Sequence, residues 1–93
     1  MIKKSYRRKP KGIVDGDTFE LYKPIMGKKF VRLSDINTPE KGQRGYKKAK
    51  NQLRDIIGDK TITIRPKAVR RRLIAEVIAN RKSVNKRMKR KGY

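Results

Sequence analysis

Apolar residues recur along this chain at two spacings. Thr61-Ile62-Thr63-Ile64 alternates at every second position, which predicts a half-buried strand that Pro66 closes. From Gln43 to Ile57 the spacing is three to four. Tyr46, Ala49, Leu53, Ile56 and Ile57 share one face, with lysines and arginines on the other. That is an amphipathic helix, and Gly58 supplies its stop.

Upstream, Gly12 to Tyr22 reads as extended, with Phe19 and Leu21 pointing one way and Thr18 and Glu20 the other. A turn is forced at Asp15-Gly16-Asp17. Lys23-Pro24 to Gly27 is expected to turn, so that Lys29 to Leu33 forms a hairpin with the strand before it. Pro39 limits Thr38 to extended conformations and ends any ladder there. Leu73 to Ala79 is a mostly apolar strand containing one charge, Glu76. Ser83 has the chemistry of an N-cap for a short helix with Val84 and Met88 inward and Gly92 as its stop. Short strands around one amphipathic helix predict an α+β, mainly β fold. The expected form is a small, partly open five-stranded barrel of the OB type, with a central helix and a short second one. Residues 1–11 carry six cations and no acid. They are expected to be a flexible basic arm, or a frayed lead-in to the first strand, ahead of one domain over 12–93.

Composition narrows the chemistry. The chain has 93 residues, no Cys and no His. Thiolate sites, disulfides and imidazole bases are therefore excluded, and any metal must be held by oxygen, which suits hard cations such as Ca²⁺ or Mg²⁺. Lys and Arg number 29 against eight acids, a formal net charge of +21, so nucleic acid is the expected partner. There is no clear basic amphipathic helix with a bulky apolar face and no segment of transmembrane length, so a membrane role is not expected. No signal peptide is visible, which leads us to expect the cytoplasm, although a mature secreted form would have the same sequence. A monomer is expected.

Four of the eight acids occupy two short segments, Val14-Asp15-Gly16-Asp17-Thr18 and Arg32-Leu33-Ser34-Asp35-Ile36-Asn37-Thr38-Pro39-Glu40. Acids grouped in a polycation would repel phosphate unless a divalent cation stood between them. In the first segment, Asp17 could reach a metal and Asp15 support it, or the segment is simply a polar turn. In the second, Asn37 and Thr38 offer an amide oxygen and a carbonyl. Glu40 could activate a water, and Arg32 could grip a phosphate by a bidentate fork. A plain loop with a structural Arg–Asp pair would read the same.

Taken together, Val14-Asp15-Gly16-Asp17-Thr18, Val31-Arg32-Leu33 and Asn37-Thr38-Pro39-Glu40 resemble the staphylococcal nuclease (thermonuclease) family. The helix with Tyr46, Ala49 and Leu53, the strand Thr61 to Ile64, the segment Arg72-Leu73-Ile74-Ala75-Glu76-Val77 and the helix after Val84-Asn85 follow in the family's order, from about residue 12 to residue 92. The resemblance implies an OB-fold, Ca²⁺-dependent hydrolase that cuts phosphodiester bonds of DNA and RNA with an activated water, leaving 3′-phosphates. It also implies that Asp17, the Asn37 side chain and the Thr38 carbonyl bind Ca²⁺ with Asp15 nearby, that Glu40 acts on the water, and that Arg32 and Arg72 contact the phosphate. Lys41, Arg70, Arg71, Lys86 and Arg87 would be further nucleic-acid contacts.

Three departures qualify this. Asn37 stands where well-known secreted members have Asp, which removes one negative charge from the metal site and leaves Asp35 as a possible compensating acid. The loop before Arg72 is short and reads Val69-Arg70-Arg71-Arg72, so any of three arginines could serve, with the register through Leu73 favouring Arg72. The family's later segment, with its nucleotide-flanking tyrosines and last helix, has no counterpart before Tyr93, so the chain reads as a short member, with Tyr93 itself able to stack on a base. The alternatives are a catalytically inactive basic OB-fold nucleic-acid-binding module and a small structural RNA-associated protein.

Overall fold

A computed structural model of the chain describes residues 4–93. In chain order its elements are β1 (Tyr6–Arg8), β2 (Pro10–Asp15), β3 (Thr18–Ile25), β4 (Lys28–Leu33), α1 (Tyr46–Ile57), β5 (Ile62–Val69), β6 (Leu73–Ala79), β7 (Lys82–Ser83) and α2 (Val84–Arg90). The strands form one curled sheet in the order β1-β5-β6-β4-β3-β2, with β7 added on β6. β4 and β6 run parallel and the other neighbours antiparallel. The mainly β, OB-like architecture expected from the sequence is the one observed. Five longer strands carry it, and β1 and β7 are short additions.

β1 and β2 are separated by Lys9 alone, yet β1 pairs with β5 and β2 with β3. One bent N-terminal segment therefore joins the two ends of the sheet and removes edges that would otherwise stay unpaired. Residues 6–8 and 10–11 of the basic arm expected over 1–11 are thus strand, and residues 1–3 lie outside the described residues. Charge hid the pattern here. Tyr6 packs against the core, with the Lys4 ammonium and the Arg8 guanidinium 5.4 and 5.3 Å from its ring centre, and Pro10 is buried.

Two prolines expected to break strands do not. β3 continues through Pro24 to Ile25, and the reversal falls on Met26-Gly27, whose φ values of 52° and 77° suit a two-residue hairpin turn. Pro66 is buried inside β5 beside a register shift between Pro66 and Ala68, which accommodates a residue that cannot donate to the ladder. α1 starts at Tyr46, not Gln43, because Gly42 and Gly45 take left-handed φ values of 92° and 88°. Its buried face, Ala49, Leu53, Ile56 and Ile57, packs on β2 and α2. The core between helix and sheet includes Phe19, Leu21, Val31, Leu33, Ile64 and Leu73. α2 is capped as expected, with the Ser83 hydroxyl accepting the Lys86 N–H at 3.1 Å. Tyr93 packs against the core and donates its hydroxyl to Gln52 at 2.7 Å, so the terminal aromatic is neither frayed nor free to stack.

Candidate active site

The site lies where β3 begins, β4 ends and β6 is approached. Asp17 is 6% exposed, and burying a carboxylate requires partners for both oxygens. Oδ1 accepts the Thr18 hydroxyl at 2.9 Å, and Oδ2 accepts the Thr38 N–H at 3.2 Å. Arg32, the register partner of Thr18, brings Nη2 to 3.5 Å from Asp17 Oδ2 and donates more closely, at 2.6 Å, to Asn37 Oδ1. Arg72 reaches in from the start of β6, its Nη1 donating to Thr18 Oγ1 at 3.2 Å. Asp17, Thr18, Arg32, Asn37, Thr38 and Arg72 thus form one connected cluster, with the Arg32 guanidinium on the buried carboxylate and that of Arg72 on the adjoining Thr18 hydroxyl.

Asp15 supports the turn by accepting the Asp17 N–H at 3.0 Å. Burial pushes its carboxyl up to about 6, and the Asp17 side chain adds to the rise through hydrogen bonding and repulsion. Gly16 has a reason the sequence reading missed. It is not among the glycines at positive φ, so the bend alone does not demand it. A Cβ at this position would lie 2.7 Å from Ala49 Cβ and 2.8 Å from Thr38 Cγ2, so Gly16 lets α1 and the Thr38 loop close on the turn. Gly16→Ala is expected to cost about 2 kcal/mol through overpacking, seen as a melting point lower by about 10 °C. An unchanged melting curve would mean that the loop gives way freely.

Glu40 follows this loop. Its N–H donates to Gln43 Oε1 at 2.7 Å, and its carbonyl accepts the Gln43 N–H at 2.9 Å. That reciprocal turn fixes the backbone and leaves the Glu40 carboxylate exposed, without an ion pair or hydrogen bond among the described residues. Lys41 beside it is exposed, as are Arg70 and Arg71. The Arg70 N–H donates to the Arg72 carbonyl at 3.0 Å, closing the turn that delivers Arg72. Asp35, Glu76, Asn85, Lys86 and Lys89 line a separate cavity of about 200 Å³ against α2, and no hydrogen bond or ion pair joins Asp35, Lys86 or Arg87 to the cluster.

Two further residues hold the site and were not singled out in the sequence. Thr18 alternates toward the outer face, yet the cluster itself buries it. Asn85 is 5% exposed and ties Ser34, Ala75 and Val77 together. Both stand in the motifs quoted above, but their roles are not readable there, because Arg72 on Thr18 and Ser34 on Asn85 come from distant segments.

Among the described residues no three acids or histidines gather into a metal cluster. The oxygens brought together are those of the Asp17 carboxylate and the Asn37 amide, with the Thr38 N–H beside them. Asp17 Oδ2 and Asn37 Oδ1 face the same guanidinium nitrogen, and the buried Thr38 Oγ1 has no partner. Two oxygens facing one point, in a chain without thiol or imidazole, fit a hard cation that keeps several waters.

The family model described as staphylococcal nuclease homologue matches residues 30–93, more than half of the chain. That span holds Arg32, Asn37, Thr38, Glu40 and Arg72 and leaves Asp15 and Asp17 outside. No curated protein matches the chain.

Proposed function

The chain belongs to the staphylococcal nuclease family, and on that premise we propose that it is a Ca²⁺-dependent nuclease hydrolysing phosphodiester bonds of DNA or RNA with an activated water. The observation that carries this is a buried carboxylate, Asp17, with Arg32 beside it and Arg72 on the adjoining Thr18 hydroxyl, in a chain of net charge +21. Binding a polyanion needs no buried acid, whereas holding a cation against a phosphate does.

Asp17, the Asn37 amide oxygen and the Thr38 carbonyl would hold the cation. When bound, the divalent cation supplies Lewis-acid charge that offsets the phosphate's own. Arg32, which lies on Asp17 Oδ2 and Asn37 Oδ1, would turn its guanidinium toward the phosphate if those oxygens held a cation. Arg72, held by the neutral Thr18 hydroxyl, keeps its charge available to the same group. Both then stabilise negative charge growing on the phosphoryl oxygens. Glu40, with no competing partner on its carboxylate, takes the proton from the attacking water.

The test is cleavage of a labelled single-stranded DNA. Cutting is expected with Ca²⁺ and none with chelator. Tight binding without cutting under any divalent metal would reject the reading and leave a cationic binding module.

A further inference from the structure

The β3–β4 hairpin leaves large apolar side chains uncovered. Tyr22 is 66% exposed, Met26 48% and Phe30 42%. Single exposed apolar residues are ordinary, but three on one hairpin call for a cause. The register relates two of them to the site. Thr18 pairs with Arg32 and Glu20 with Phe30. Residues two apart on a strand share a face, about 7 Å further along. Phe30 is therefore the next outward-facing residue from Arg32 on β4, and exposed Tyr22 follows Glu20 on β3, just where the β3–β4 pairing shifts register before Ile25. Arg72 directly precedes Leu73, the parallel partner of Val31, so it also borders Phe30. A strip thus starts at the two guanidiniums and runs out over Phe30 and Tyr22 toward the hairpin tip.

Its charge suits one kind of occupant. Lys23, Lys28 and Lys29 flank the outer end, and none is in an ion pair among the described residues. The one acid along it, Glu20, is neutralised by Lys11 at 3.7 Å. Aromatic faces between free ammonium groups match a polyanion that carries flat apolar rings. In a duplex those rings are already stacked, so a single strand is the fitting form.

We propose that this strip binds a single-stranded stretch of nucleic acid extending from the cleavage site, its bases stacked on Phe30 and Tyr22 and its phosphates on the hairpin lysines. The inference rests on nucleic acid being the substrate and goes beyond it, because Tyr22 precedes the segment that the family model matches.

The test is anisotropy of a labelled oligonucleotide of about a dozen nucleotides, measured in chelator so that cleavage plays no part. The double variant Tyr22→Ala/Phe30→Ala is expected to bind roughly ten- to a hundredfold more weakly. The slope of affinity against salt should stay unchanged, because no phosphate contact is lost. The stacking-competent pair Tyr22→Phe/Phe30→Tyr should bind like the wild type, and a duplex of equal length should not distinguish the alanine variant. Unchanged single-strand affinity in that variant, an equal loss for the duplex, or a loss in the conservative pair would each overturn the proposal. Wild-type protein that binds but never cuts would instead sink the nuclease reading and leave this one standing.

Discussion

Glu40→Gln is expected to lower Ca²⁺-dependent cleavage by roughly a thousandfold, the usual worth of a well-placed general base. The substitution keeps the side chain's length and removes only its capacity to accept a proton as a carboxylate. The contacts that fix this residue are its backbone N–H and carbonyl to Gln43 and the rigid Pro39 before it, and the variant retains all of them. The side chain is exposed and bonded to nothing, so the fold has little to lose. Thermal melting should accordingly stay within about 0.5 kcal/mol of the wild type. Affinity for uncut nucleic acid in chelator should hold or rise slightly, since a negative charge near the phosphates has gone. Rate loss with intact folding and binding would assign Glu40 to the chemical step. Wild-type turnover in the variant would remove it from that step, and a matching loss of binding would make it a positioning residue for the loop.

How much of this was legible in the sequence follows from how local each cause is. α1 and β6 could be read because their partners lie on one face and repeat at a fixed period. β1 could not, because Tyr6 is its one apolar residue and the cations around it mask a strand whose partner, β5, lies more than fifty residues away. Pro24 and Pro66 were misjudged because a proline breaks a strand only where the ladder needs its N–H. A bulge at Pro66 removes that need, and only pairing reveals bulges. In the site, Asp17, Arg32 and Thr38 stand in the two acidic segments and lie together in the fold, whereas Arg72 came from the family resemblance and its side chain reaches Thr18. The Arg32–Asn37 contact was not legible, because it depends on the path of a loop whose closure requires the missing side chain at Gly16.

Asn85→Ala should be the most damaging single truncation outside the apolar core. The Asn85 side chain accepts the Val77 N–H at 2.9 Å and donates to the carbonyls of Ser34 at 3.0 Å and Ala75 at 3.1 Å, with the Ser34 hydroxyl at 3.2 Å. One buried amide therefore pins α2, β6 and the start of the loop that carries Asn37 and Thr38. Alanine leaves the Val77 N–H and the Ser34 carbonyl without this partner at a position only 5% exposed, and it removes packing as well. Each unsatisfied buried group costs about 1–3 kcal/mol, so a total near 3 kcal/mol is expected even with partial relaxation. In a 93-residue domain that lowers the melting point by roughly 10–20 °C. Leucine, which restores volume without hydrogen bonds, should not recover it, and this separates the polar cause from packing. Because Ser34 begins the loop that carries the proposed ligands Asn37 and Thr38, the folded fraction of Asn85→Ala should also bind Ca²⁺ more weakly, as calorimetry well below the melting point would detect. Unaltered Ca²⁺ affinity in a destabilised variant would confine Asn85 to the core, whereas loss of both would tie α2 to the site through this one side chain.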